Sequence, residues 1–184
     1  LMKSLVMWKT APRRKPLILK GARQVGKTWL MKEFGRRYFQ NVVYINFDNN
    51  PRMQQIFEQD YDIRRILLAF HVETGESIRP QETLIILDEI QEAPRAISAL
   101  KYFCENAPEY PVIAAGSLLG IALHEGISFP VGKVTTMQVY PLSFYEFLRA
   151  VHEEGLADLL DQRDPAMLAV FHDRFVTWLK NYYY

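Results

Sequence analysis

The 184-residue chain is 49% apolar and 23% charged, enough material for one domain with a buried core, or for one domain and part of another. Its formal net charge of +1 gives no electrostatic case for nucleic acid or an anionic membrane surface as partner. No apolar stretch approaches the roughly 18 to 20 residues that cross a bilayer, and the single cysteine, Cys104, excludes an internal disulfide framework and a cysteine-based metal site. No secretory leader is visible, so a reducing cytoplasm is the expected compartment, although the chain begins at Leu1 rather than Met.

In chain order, short apolar runs alternate with segments of helical period, the pattern of a parallel sheet covered by helices. Leu17 to Leu19 read as the first strand. A helix is expected from about Lys27 to Arg37, with Leu30, Phe34 and Tyr38 on one face. Val42 to Phe47 form a second strand, and Met53, Ile56, Phe57, Ile63, Ile66, Leu67 and Phe70 trace one helical stripe. Leu84 to Leu87 is apolar at every position, as a strand covered on both faces should be. A helix starting near Pro94 turns Ile97, Leu100 and Cys104 inward, which makes Cys104 a buried thiol. Val112 to Ala115 make a fourth strand. A long loop with a short helix near Leu118 to His124 then leads to a fifth strand within Val134 to Tyr140. Ser143 caps a helix running to about Glu153, and Asp164 to Tyr184 is helical in pattern. Gly155 and an acidic run interrupt the helices between Glu153 and Pro165, which places a boundary between residues 1–153 and 154–184.

The loop after the first strand carries the chemistry. Gly21-Ala22-Arg23-Gln24-Val25-Gly26-Lys27-Thr28 matches G-x-x-x-x-G-K-[ST] between a strand and a helix, where a phosphate cradle has to lie. Its glycines let successive N–H groups converge, and the helix N-terminus adds partial positive charge. Lys27 supplies a full cation to the β- and γ-phosphates of ATP, and Thr28 a hydroxyl to Mg²⁺. Arg23 and Gln24 sit at variable positions, able to reach phosphate by their backbone N–H groups. Asp88, at the tip of the third strand, fits the role of holding Mg²⁺. Glu89 is placed to polarise the attacking water. Ser117 ends the fourth strand as either a γ-phosphate sensor or the cap of a following helix, and Gln91 is a further residue within reach of the water.

Taken with Leu87-Asp88-Glu89-Ile90-Gln91, Ala115-Gly116-Ser117 and Tyr140-Pro141-Leu142-Ser143-Phe144-Tyr145-Glu146-Phe147-Leu148, the loop and its lead-in Arg14 to Lys20 resemble one group of prokaryotic AAA-type ATPases. In these a nucleotide domain precedes a C-terminal domain of unknown function. The resemblance covers nearly the whole chain. It implies a three-layer α/β P-loop NTPase fold of the additional-strand type, strand order 5-1-4-3-2. Asp88 and Glu89 then form the second nucleotide motif, and Ser117 matches the first sensor. Such chains usually continue past a Tyr-rich helix like Lys180 to Tyr184, so an excised domain or truncated gene is expected here. No arginine matches an arginine finger. Lys133 falls where such chains tend to carry a basic residue after a long loop, and reads either as a charge-neutralising group or as a surface lysine.

The expected function is therefore an ATP-binding AAA-type domain, hydrolysing ATP with Mg²⁺ to drive conformational change in an attached domain or partner. A slow-hydrolysing nucleotide-dependent switch is the second reading and a small-molecule kinase the third, the latter opposed by Glu89 directly after Asp88. Expected partners are the chain's own C-terminal domain and further copies of itself, without a membrane. The run Arg13-Arg14-Lys15 reads as a solvated lead-in or a nucleic-acid contact. The aromatic set Phe171, Phe175, Trp178, Tyr182, Tyr183 and Tyr184 reads as core or as interface with the C-terminal half.

Overall fold

The structure, a computed structural model, describes residues 1–117 and 129–183, with Ser117 described by its backbone alone. A five-stranded parallel sheet runs in the order β2-β3-β4-β1-β5, the expected 5-1-4-3-2 read from the other edge. Its strands are β1 (Leu17–Gly21), β2 (Asn41–Asn46), β3 (Thr83–Asp88), β4 (Val112–Ser117) and β5 (Thr135–Gln138). β3 is buried at every position, which accounts for its unbroken apolar run.

Alternation along the strands divides the core into two layers. Leu17, Leu19, Leu84, Ile86, Ile113 and Ala115 pack under α1 (Met2–Lys9) and α2 (Lys27–Tyr38), whose inward residues are Leu5, Trp8, Leu30, Met31 and Phe34. On the other face, Ile18, Val43, Ile45, Ile85, Leu87, Val112 and Ala114 meet α3 (Pro51–Gln59), α4 (Ile63–Thr74) and α5 (Pro94–Asn106). Each fully buried Leu, Ile or Phe contributes about 1.5 to 3 kcal/mol relative to exposure, so Phe34, at 0% exposure between Trp8 and Phe39, anchors α2 and with it the loop at its start.

Several expectations are corrected. α1 was not expected at all. The single stripe from Met53 to Phe70 is two helices, because Asp60 and Asp62 break it and the Asp62 carboxylate then caps α4 by accepting from the Arg64 N–H. On α5 the inward turn is completed by Phe103, leaving Cys104 half-buried. Arg14 is no solvated lead-in: its guanidinium donates to Gln81 Oε1 at 3.1 Å and to the Pro108 carbonyl at 3.0 Å. The short helix expected near Leu118 to His124 lies outside the described residues.

The chain separates into two compact units, Leu1–Tyr140 and Pro141–Tyr184. The second contains α6 (Phe144–Ala150), α7 (Glu154–Gln162), α8 (Pro165–Val170) and α9 (His172–Tyr183). Ser143 caps α6 with a reciprocal box to Glu146, as its sequence implied. The acidic stretch after Glu153 forms α7 rather than a break, burying Leu156 and Ala157 against Leu148 while Asp158 pairs with Arg149 at 2.8 Å. Trp178 and Tyr182 on α9 pack against Phe147 within this unit, with Tyr183 exposed.

Candidate functional site

β1 is flanked on both sides, by β4 and β5, so the chain leaves the interior of the sheet at Gly21. The departure is tight: a Cβ on Gly21 would lie 2.4 Å from the Val139 carbonyl oxygen, so only glycine fits. The loop then turns through Gln24 at φ 62° and Gly26 at φ 86°, both left-handed, and no atom lies within 4 Å of where a Gly26 Cβ would sit. α2 starts immediately afterwards with no side-chain cap on its first N–H groups, the arrangement that receives an anion.

Lys27 is buried at 8% exposure, and its ammonium donates to the Gly21 and Ala22 carbonyls at 3.0 and 2.6 Å. Thr28, one residue on, donates its hydroxyl to Asp88 Oδ2 at 2.7 Å, joining the loop to the tip of β3. Asp88 is 3% exposed, and its other oxygen accepts the Glu89 backbone N–H at 3.1 Å. Glu89 sits in the left-handed region at φ 50°, rare for a residue with a side chain and typical of functional turns. Gln91 donates to the Glu89 carboxylate.

A cleft of about 460 Å³ opens here, lined by Arg23, Gln24, Gly26, Lys27, Thr28, Trp29 and Glu89. The structure thus brings the loop, Asp88 and Glu89 to one place. The backbone of Ser117 stands beside Gly21 in the β1–β4 register, and its side chain lies outside the described residues. Lys133 goes elsewhere. It pairs with Glu105 at 2.8 Å just ahead of the start of β5, which lies beside the first residue of β1, at the sheet edge away from the loop. A charge-neutralising role over the loop is out of its reach.

Tyr44 and Lys32 were not read from the sequence as site residues. Tyr44, on β2, donates its hydroxyl to Asp88 Oδ2 at 3.0 Å. Burial first, and then the charges of Asp88 and Glu89, hold its phenol well above the ordinary tyrosine range. The Lys32 ammonium lies 3.7 Å from the centroid of the Tyr44 ring. The available signals were the four-residue step from Thr28 to Lys32 along α2, and the alternation of β2 that puts Tyr44 on the α2 side.

The donors are hard oxygens, a hydroxyl and a carboxylate, beside a buried ammonium and an uncapped helix start. That set suits a magnesium–nucleotide complex and has no soft ligand to favour a thiophilic metal.

A strand, a phosphate loop and an acid-tipped strand one place removed in the sheet, with β4 between, define a P-loop NTPase. The sequence pattern of the AAA domain family matches residues 13–148, and the chain belongs to that family, a class of ATP-binding domains. No curated protein matches the sequence. Solved structures similar to it include the Walker-type ATPase PABY2304 of Pyrococcus abyssi, at 16% identity and TM-score 0.49, covering 82% of this chain and 57% of that one. The Aeropyrum pernix ORC1 protein, solved in complex with DNA, is similar at 14% identity and TM-score 0.49, over 83% of this chain and 47% of that one. PCH-2 of C. elegans follows at 15% and 0.47, over 83% and 45%. The chain spans about half the length of these proteins. Among the described residues no helix is long and apolar enough to cross a membrane.

Proposed function

We propose that this domain binds ATP over the loop from Gly21 to Thr28 and hydrolyses it with Mg²⁺, driving conformational change in an attached domain or a partner of the cytoplasm. The observation that carries the reading is the 2.7 Å bond from Thr28 to Asp88, which puts a hydroxyl and a carboxylate beside the buried ammonium of Lys27. Magnesium, when bound, supplies a Lewis acid that offsets the negative charge of the phosphates. Thr28 and Asp88 would hold it. The N–H groups of the loop and of the first turn of α2 orient the phosphates, and Lys27 exchanges its carbonyl partners for phosphate oxygens. Glu89 positions the water, taking its proton at a carboxylate oxygen, and Ser117 senses the γ-phosphate.

One observation favours slow turnover by a switch-like domain. The Gln91 amide donates to the carboxylate that must orient water, and while that bond holds it restrains the orientation of the carboxylate. Calorimetric titration with ATP, with and without Mg²⁺, joined to a phosphate-release assay, tests both readings. Binding with release supports the ATPase, and tight binding with release near background supports the switch. No binding by the wild-type chain overturns both.

A further inference from the structure

Asp88 is held by donors from three directions: the Thr28 hydroxyl on α2, the Tyr44 hydroxyl on β2, and the Glu89 backbone N–H. Two of these share Oδ2, at 2.7 and 3.0 Å. Lys32 closes the circuit. It lies one helical turn beyond Thr28 on α2, and its ammonium rests on the face of the Tyr44 ring at 3.7 Å. The path Thr28, Asp88, Tyr44, Lys32 thus starts and ends on one helix and passes through two strands.

From this circuit, and resting on the ATP reading above, we infer that Tyr44 is a positioning residue for the cation, and that Lys32 acts through it. The physical reason is preorganisation. An ionised carboxylate accepts about four hydrogen bonds, so three donors fix the plane of the Asp88 carboxylate and leave acceptor capacity for a cation or its water shell. A carboxylate already fixed loses no rotamer freedom when the cation arrives. Tyr44 is suited to this task because it belongs to β2. Its register partner Ile86 stands two residues before Asp88 on the same side of the sheet, so sheet pairing sets the reach of the hydroxyl. The Lys32 cation on the ring face polarises the phenol toward stronger donation and partly offsets the adjacent charges of Asp88 and Glu89.

The bland alternative is that a half-buried phenol takes the nearest acceptor and only packs. The two differ in what they do to cation dependence. A non-hydrolysable ATP analogue is titrated calorimetrically into the full chain, first in EDTA and then in Mg²⁺ or Mn²⁺, for wild type, Tyr44→Phe, Lys32→Met and Lys32→Arg. Tyr44→Phe is expected to bind the analogue in EDTA within about twofold of wild type, while the gain in affinity on adding the cation falls about tenfold or more, as for a lost bond to a charged group. Lys32→Met should lower the gain about threefold, and Lys32→Arg, which keeps a cation over the ring, should restore it.

An undiminished gain in Tyr44→Phe overturns the inference. So does an equal loss with and without cation in a chain that circular dichroism shows folded, because Tyr44 would then shape the loop rather than the cation site. Should Tyr44→Phe fail to fold, the lysine pair decides: Lys32→Met with an unchanged gain overturns the inference, and a reduced gain restored in Lys32→Arg supports it. Wild type that binds no analogue under either condition overturns the ATP reading itself, a result distinct from all of these.

Discussion

Thr28 donates a 2.7 Å hydrogen bond to Asp88 across 60 residues of sequence, and this contact couples the phosphate loop to the acidic strand tip. Thr28→Val keeps the shape and removes the donor. Because Asp88 is 3% exposed, the lost bond should cost about 1 to 3 kcal/mol of stability. Magnesium-dependent gain in ATP affinity should be lost as well. Chemical denaturation and calorimetry check the two halves, and a variant as stable as wild type that keeps its cation dependence would contradict the assignment.

Lys27→Ala should lower ATP affinity by about two orders of magnitude, since a charge-assisted contact to phosphate is among the stronger polar interactions. It should not destabilise the fold. The ammonium is buried against carbonyl oxygens with only 8% exposure, so the folded chain carries a desolvated cation that alanine removes. The expected outcome is lost binding with a thermal midpoint equal to or above that of wild type. A large fall in the midpoint would mean that Lys27 holds the loop together.

Gly21→Ala tests the close approach at the end of β1. The added methyl would meet the backbone oxygen of Val139 at 2.4 Å, and backbone cannot swing aside as a side-chain end can. Destabilisation of about 1 to 3 kcal/mol is expected from forced displacement of this kind, accompanied by weaker ATP binding. Thermal denaturation with and without ATP measures both.

Glu89→Gln should retain binding and stop phosphate release. Gln91→Ala is the more telling variant. If the Gln91 amide restrains the Glu89 carboxylate, its removal should raise the release rate a few fold rather than lower it. A lower rate would show instead that Gln91 helps to place the water, the role its position next to the acidic pair had suggested.

The acid limb of the stability curve should carry a contribution from α2. Hydrogen bonds from Arg36 and then Arg37 bring the Glu33 carboxyl from 4.5 down to about 2 in the folded chain. A depressed carboxyl stabilises the fold above its unfolded value and loses that stabilisation as pH falls from about 4.5 toward 2. Glu33→Gln should therefore flatten the fall of the thermal midpoint across that window and leave the slope above pH ~5 unchanged. The effect is small, as both arginine partners are exposed and the pairs are screened by solvent.

Much of the site was legible because its chemistry is local. The loop needs its glycines, lysine and threonine within one turn of chain, and Asp88 and Glu89 announce themselves at the end of an apolar run. Tyr44 was not legible, because nothing near it in sequence says that β2 pairs with β3 in a register that brings its hydroxyl to Asp88. Lys32 became meaningful only once Tyr44 was placed. In the fold, β1, β3 and β4 showed through because buried parallel strands admit little but apolar residues, and β2 through its run of β-branched and aromatic residues. The helix α1 did not, since it is only eight residues long and fully buries just Leu5 and Trp8, too short a run to set a period. α7 was hidden by Gly155, Asp158 and Asp161, whose unfavourable local preference is outweighed by burial of Leu156 and Ala157.

β5 has a further consequence. Among the described residues it is an edge strand of four residues paired to β1, and the residue after it does double duty: the Val139 N–H donates to the Lys20 carbonyl at 2.7 Å while its own oxygen walls in Gly21. The chain enters the second unit two residues later, at Pro141. The contact that sets where the phosphate loop begins therefore lies within two residues of the link between the units. The rim of the sheet thus closes the first unit and, through the residue that follows its last strand, walls the start of the phosphate loop.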